Sequence, residues 1–188
     1  MALRANNSNE AYCKIDQCFD ELHSRVNANR SISATTYLAT DYLNHFNEVI
    51  MLLDIIIDMP DMLDELADWQ PKSYINHFKE SSLSDQDLII EAYYAADAVD
   101  RDMLTAISLE MDQIIKNSII ASTHEGEPLD EISLTMLVST TTEKLHERIN
   151  LASGVINNGA ASVGKKPDTS LVHTSINDTQ ATADILFD

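Results

Sequence analysis

Glu110, Gln113 and Asn117 fall three and four residues apart on one stripe of a stretch whose apolar spacing is helical. An acid and two side-chain amides stacked on one helix face suit the holding and orienting of a water molecule. The structural alternative is that the helix outruns its partners here and the stripe meets solvent. Asp41 and Asn44 make a weaker pair of the same kind.

A second constellation is a repeat. NHFNE (Asn44–Glu48) and NHFKE (Asn76–Glu80) each place a histidine and a glutamate three residues apart, on one face of a helix: His45 with Glu48, and His77 with Glu80. With Asp41 and Glu91 these side chains would make a carboxylate–imidazole metal site inside a bundle. Di-metal bundles use the opposite order, Glu-x-x-His, with further glutamates from facing helices. Only one other histidine, His146, lies in a long helical stretch of the C-terminal half. Phe46 and Phe78 as core anchors with polar flanks explain the repeat as well, and no metal ligand is assigned. Neither histidine has the lysine–glycine surroundings of a phosphotransfer site.

The elements that must position these residues are helices. Tyr12, Ile15, Phe19, Leu22 and Val26 recur at steps of three and four, so residues 9–28 read as an amphipathic helix. A second helix is expected from about Ser33, with Tyr42, Phe46, Val49, Leu53 and Ile56 on one stripe. Pro60 must break or kink the chain, with Asp58 as the cap of the next segment. Pro71 marks another restart, residues 72–80 form a short connecting helix, and Trp69 packs where the two segments meet. Ser84 and Asp87 cap the longest helix, residues 85–121, with a seam of Ile89, Ala92, Ala96, Val99, Met103 and Ala106. His124–Pro128 is a loop, and the last helix runs from Leu129 to Asn157. The expected fold is all-α: an up-and-down bundle of three to four long helices over residues 9–157.

Composition agrees. Across 188 residues there are four glycines and four prolines, too few for many turns. Thirty-one acidic against twelve basic side chains give a formal charge of −19. Such a surface repels phosphate backbones and anionic lipid, which argues against nucleic acid and membrane as partners. Asp58, Asp61, Asp64, Glu65 and Asp68 concentrate part of that charge around Pro60. The first residues, MALRANNSNE, lack the apolar core of a signal peptide, and the run Val49–Met59 is too short to cross a bilayer. Cys13 and Cys18 have the spacing of neither a metal knuckle nor a redox pair, so both read as reduced thiols of a cytoplasmic protein. Phosphate-binding glycine loops and nucleophile elbows are absent from the sequence.

Beyond Asn157 the residues turn small, polar and unpatterned, and 158–177 read as a flexible linker. A tether of about twenty residues spans on the order of 25 Å. It leads to TQATADILFD, within a docking segment 178–188. Capped by Asp178 or Thr179, this segment places Ala183, Leu186 and Phe187 on one helical face with Asp184 beside them. Ten residues do not hold a helix alone in water, so this segment orders in a groove on a partner or folds back on its own bundle.

TQATADILFD resembles the receiver-binding peptide of the CheZ chemotaxis phosphatases and the FliM flagellar switch proteins, roughly Ser-Gln-x-x-Ile-Asp-x-Leu-Leu/Phe. Thr179 stands for the serine; Gln180, Asp184, Leu186 and Phe187 match; Ala183 replaces the usual isoleucine, with Ile185 nearby. The layout of helical body, tether and terminal peptide is also similar to that of CheZ. The resemblance implies a CheY-like response regulator as partner, with magnesium on that receiver and no cofactor on this chain. It further implies an amide that orients water at the receiver's aspartyl phosphate, with a neighbouring acid engaging a receiver lysine. The family's Asp-x-x-x-Gln spacing is missing here. Glu110, Gln113 and Asn117 are the nearest substitute.

The expectation is therefore a chemotaxis-type signalling regulator that binds a receiver through its C-terminal peptide and acts as phosphatase, localiser or sink. The alternatives are a helical adaptor without a receiver link and, third, a metal-binding bundle. Such long helices would also permit a homodimer.

Overall fold

The computed structural model describes residues 5–124 and 127–164, with side chains from residue 17 onward save 123–128. The fold is all-α, and seven helices lie among the described residues. Helix α1 spans Ala5–Ala28. A 3-10 turn at Thr40–Leu43 leads into α2, Asn44–Ile56. Another at Pro60–Met62 leads into α3, Leu63–Ala67. Then come α4, Tyr74–Glu80, α5, Gln86–Ala95, and α6, Ala98–Ala121. A two-residue antiparallel pair, β1 (Thr123–His124) and β2 (Glu127–Pro128), turns the chain into α7, Glu131–Asn158. Only α1, α6 and α7 exceed twenty residues.

The expected rod at 85–121 is thus two helices. Ala96 takes an extended conformation, and the Asp97 carboxylate accepts a hydrogen bond from the Val99 amide at 2.7 Å, starting α6 afresh. The seam splits with it: Ile89, Ala92, Ala96, Met103 and Ala106 are buried, but Val99 is 63% exposed. The second helix begins at Asn44 rather than near Ser33. Residues 33–39 instead form a tight loop closed by Ser33 N–Leu38 O and Tyr37 N–Ser33 O bonds, with Tyr37 at φ 64°. Thr35, Thr36 and Tyr37 disfavour helix through restricted χ1, and the Thr36 hydroxyl is taken by the Ile156 carbonyl on α7.

Other boundaries lie close to expectation. Pro60 occupies the first turn of its 3-10 segment, although Met59 and not Asp58 precedes it as the cap. Ser73 Oγ accepts from Asn76 N to start α4. Asp85 stands at the start of α5 without a side-chain capping bond. Asp130 caps α7 through the Ile132 and Ser133 amides. The ordered body continues past Asn157: Asn158 closes α7, Gly159 leaves it at φ 82°, and a 3-10 turn at Ala160–Val163 packs back with Ala160 buried.

Helices α6 and α7 form an antiparallel hairpin tied at three levels. The Leu129 amide bonds to the Ser122 carbonyl at the turn, Glu110 meets Arg148 midway, and Asp100 Oδ1 accepts from Ala160 N at the far end. Helix α2 lays its stripe against α7, and all five expected stripe residues are buried. Phe46 and Phe78 are fully buried; each contributes on the order of 1.5–3 kcal/mol of hydrophobic stabilisation. Helix α1 contributes Leu22 and Val26 to the same core, whereas Phe19 remains 54% exposed and stacks on Tyr37. Arg25–Glu91 at 2.8 Å ties α1 to α5, and Asn29–Asp85 at 2.6 Å joins the residue after α1 to the residue before α5. Among the described residues no helix is long and apolar enough to cross a membrane.

Candidate functional site

The acid–amide stripe lies along the outer half of α6. Gln113 and Asn117 are exposed, and Gln113 Nε2 donates to Asn117 Oδ1 at 2.8 Å. Glu110 is half-buried and pairs with Arg148 of α7 at 3.3 Å. The stripe therefore meets solvent, yet the helix does not outrun its partner. Asn117 lines a small cleft shared with Thr140, Thr141 and Lys144 of α7. What this face offers is one exposed amide pair beside a neutralised carboxylate. Asp41 and Asn44 share no such face: Asp41 is half-buried in the 3-10 turn, and Asn44 is exposed at the start of α2.

The two histidines of the NHFNE and NHFKE repeat meet in space. His45 and His77 have ring centroids 6.0 Å apart, and His45 stacks on Trp69 at 5.0 Å and 22°. Their glutamates do not converge with them. Glu48 and Glu80 are exposed, and Glu80 is held by Lys72 at 2.8 Å. Glu91 is engaged by Arg25, and His146 is exposed on α7. Among the described residues no group of three or more His, Cys, Asp or Glu side chains could hold a metal ion. Burial pushes the His45 pKa down to about 4, with His77 and Lys72 adding repulsion; burial also lowers that of His77. His45 Nε2 and Trp69 Nε1 are buried with no hydrogen-bonding partner. The pair forms a neutral aromatic cluster.

A cavity with a buried acid lies elsewhere and was not singled out from the sequence. A cavity of about 330 Å³ opens between the 71–75 connection, α5 and α6, walled by Tyr42, Tyr74 and Tyr93, with Ser108 and Asp112 of α6. The tyrosine rings are contiguous: Tyr42–Tyr74 centroids are 5.2 Å apart with the planes tilted by 54°, and Tyr74 stacks on Tyr93 at 4.5 Å. Tyr42 donates to the Lys72 carbonyl at 2.9 Å, and the Tyr74 hydroxyl accepts from the Ala39 amide at 2.8 Å. Asp112 is 8% exposed, and its Oδ1 has no hydrogen-bonding partner. Burial pushes its carboxyl up to about 6, against a smaller opposing pull from Lys116.

No known protein family, curated protein or solved structure matches this chain. Its chemistry therefore rests on its own residues.

The residues expected to bind a partner, Thr179, Gln180, Ala183, Asp184, Leu186 and Phe187, lie outside the described residues, as does the rest of the expected linker after Gly164. The structure brings Gln113 to Asn117 and Glu110 to Arg148 without gathering a set that acts alone. Asp112 had a legible signal: it continues the buried stripe of Ser108 and Ile115, where a carboxylate is out of place.

Proposed function

We propose that this chain regulates a phosphorylatable CheY-type receiver, engaged through Thr179–Asp188. The observation that carries the reading is the order of Thr179, Gln180, Asp184, Leu186 and Phe187, which places an acid and two apolar anchors as the receiver-binding peptides do. Ala183 removes a branched anchor, so docking is weaker than with isoleucine there. The strongly acidic composition suits a partner with basic edges and a cytoplasmic setting.

The body's part is to assist loss of the receiver's phosphoryl group. Gln113 is the water-orienting group in this reading, because its amide is exposed on a rigid helix and Asn117 fixes its direction. Glu110 is held by Arg148, so an acid–lysine contact with the receiver must first displace that arginine. Magnesium on the receiver supplies the charge compensation. We read the long helices α1, α6 and α7 as the frame of an up-and-down arrangement that presents this face.

Titrating a labelled Thr179–Asp188 peptide with a CheY-type receiver, with and without beryllofluoride, tests the docking. Saturable binding that weakens with Leu186→Ala or Phe187→Ala is expected. Absence of binding at high micromolar concentration in both states overturns the reading. Phosphate loss from the receiver, measured with the intact chain and with Gln113→Ala, then separates catalysis from sequestration. A loss of about tenfold or more in the variant supports catalysis.

A further inference from the structure

We propose that the tyrosine-walled cavity bordered by α5 and α6 binds a small organic amine, its ammonium against Asp112 and its apolar body against the aromatic stack. The site is built independently of the receiver-docking peptide.

Three observations carry this. The first is the carboxylate: Asp112 is 8% exposed, and its Oδ1 has no hydrogen-bonding partner among the described residues. A buried acid in that position is costly unless something satisfies it. Lys116, one turn further along α6, is exposed and only partly offsets the burial. Lys72 reaches the same cavity, but its ammonium is committed to Glu80 at 2.8 Å.

The second is the wall. Tyrosine ring faces carry negative potential and attract cations. This stack already holds one, since the Arg101 guanidinium lies over the Tyr93 ring at 5.6 Å. Arg101 does not line the cavity and Lys72, which does, is paired with Glu80, so the interior keeps a carboxylate beside aromatic surface.

The third is size and chemistry. About 330 Å³ is at the small end of small-molecule sites and admits one ring with a short aminoalkyl arm. A divalent metal fits poorly, because one carboxylate with hydroxyls falls short of the oxygen-rich shell it needs. An anion would face the Asp112 carboxylate directly. A protonated amine meets the acid with its charge and the tyrosines with its carbon skeleton.

The experiment is calorimetric or NMR titration of the intact chain with 2-phenylethylammonium chloride at pH 8, with 2-phenylethanol as the uncharged match. Two variants accompany it: Asp112→Asn, which removes the charge, and Thr105→Trp, which blocks the cavity from an exposed position on its rim. Saturable amine binding is expected for the native chain, at least about tenfold weaker in both variants and at least about tenfold weaker for the alcohol. Circular dichroism verifies that both variants are folded. Absence of saturable binding up to about 10 mM overturns the proposal. So does equal affinity for amine and alcohol, or undiminished binding in Asp112→Asn.

Discussion

His45 lies face to face with Trp69, ring centroids 5.0 Å apart, and neither His45 Nε2 nor Trp69 Nε1 finds a hydrogen-bonding partner. Burial holds the histidine neutral. Its pKa falls from 6.5 to about 4 in the folded chain, so below pH 6.5 the unfolded state takes a proton that the native state refuses. Stability should therefore fall as pH drops from about 6.5 to about 4, by at most about 3 kcal/mol. His77, shifted the same way by burial, adds to that slope. His45→Phe keeps a ring of similar size on Trp69 and should flatten much of it in urea unfolding series at pH 4.5, 5.5 and 7. Parallel stability–pH curves for the two proteins would refute the assignment.

Asp112 should act with the opposite sign. Its folded pKa is raised from 3.8 to about 6, so the native state holds a proton that the unfolded state releases. Stability from this group falls as pH climbs from about 4 to about 6 and is level above that. Asp112→Asn should be more stable than the native chain at pH 8 by about 1–3 kcal/mol, with the gap closing toward pH 4. The thermal midpoints of the two proteins at pH 4.5 and pH 8 measure this. A variant less stable at pH 8 would mean that the carboxylate is satisfied in the native fold.

Gly159 sits at φ 82°, and a Cβ built there would meet Asp100 Oδ1 at 3.3 Å. That same oxygen accepts from the Ala160 amide at 2.7 Å and anchors the 3-10 turn at Ala160–Val163 onto α6. Gly159→Ala should cost about 1–2 kcal/mol through backbone strain alone, and more if the Asp100 contact is lost. Asp100→Ala separates the two contributions in a double-mutant cycle. An unchanged urea midpoint in Gly159→Ala would contradict the left-handed conformation.

The Glu110–Arg148 pair bridges α6 and α7 at 3.3 Å with both side chains about one-third exposed. Its contribution should be small. Arg148→Ala is expected to cost no more than about 1 kcal/mol, and less in 1 M salt, because water and ions screen such pairs. A cost above about 2 kcal/mol that persists in high salt would show that the pair is buried more deeply than its exposure indicates.

Much of the fold was legible residue by residue. Spacing of three and four picked out α1 and the stripe from Tyr42 to Ile56, because a helix that buries one face must repeat its apolar residues at that period. Pro60 and Pro71 marked local boundaries through backbone chemistry that acts within a few residues. The break at Asp97 was legible too: an aspartate with Asp100 three residues on is a cap in the middle of an apolar seam, but the seam's continuity masked it.

What required the tertiary structure was which side chains share a place. NHFNE and NHFKE promised matched histidine–glutamate pairs, and folding brought the rings together while leaving both glutamates in solvent. Thr36 left a predicted helix because a carbonyl of α7, 120 residues away in sequence, accepts its hydroxyl. Asp112 follows the stripe of Ser108 and Ile115, but the rings beside it are set only when α6 packs next to Tyr42, Tyr74 and Tyr93. Periodicity is a property of consecutive residues and survives in the sequence. Burial and encounter depend on distances between segments, which are set only when helices pack.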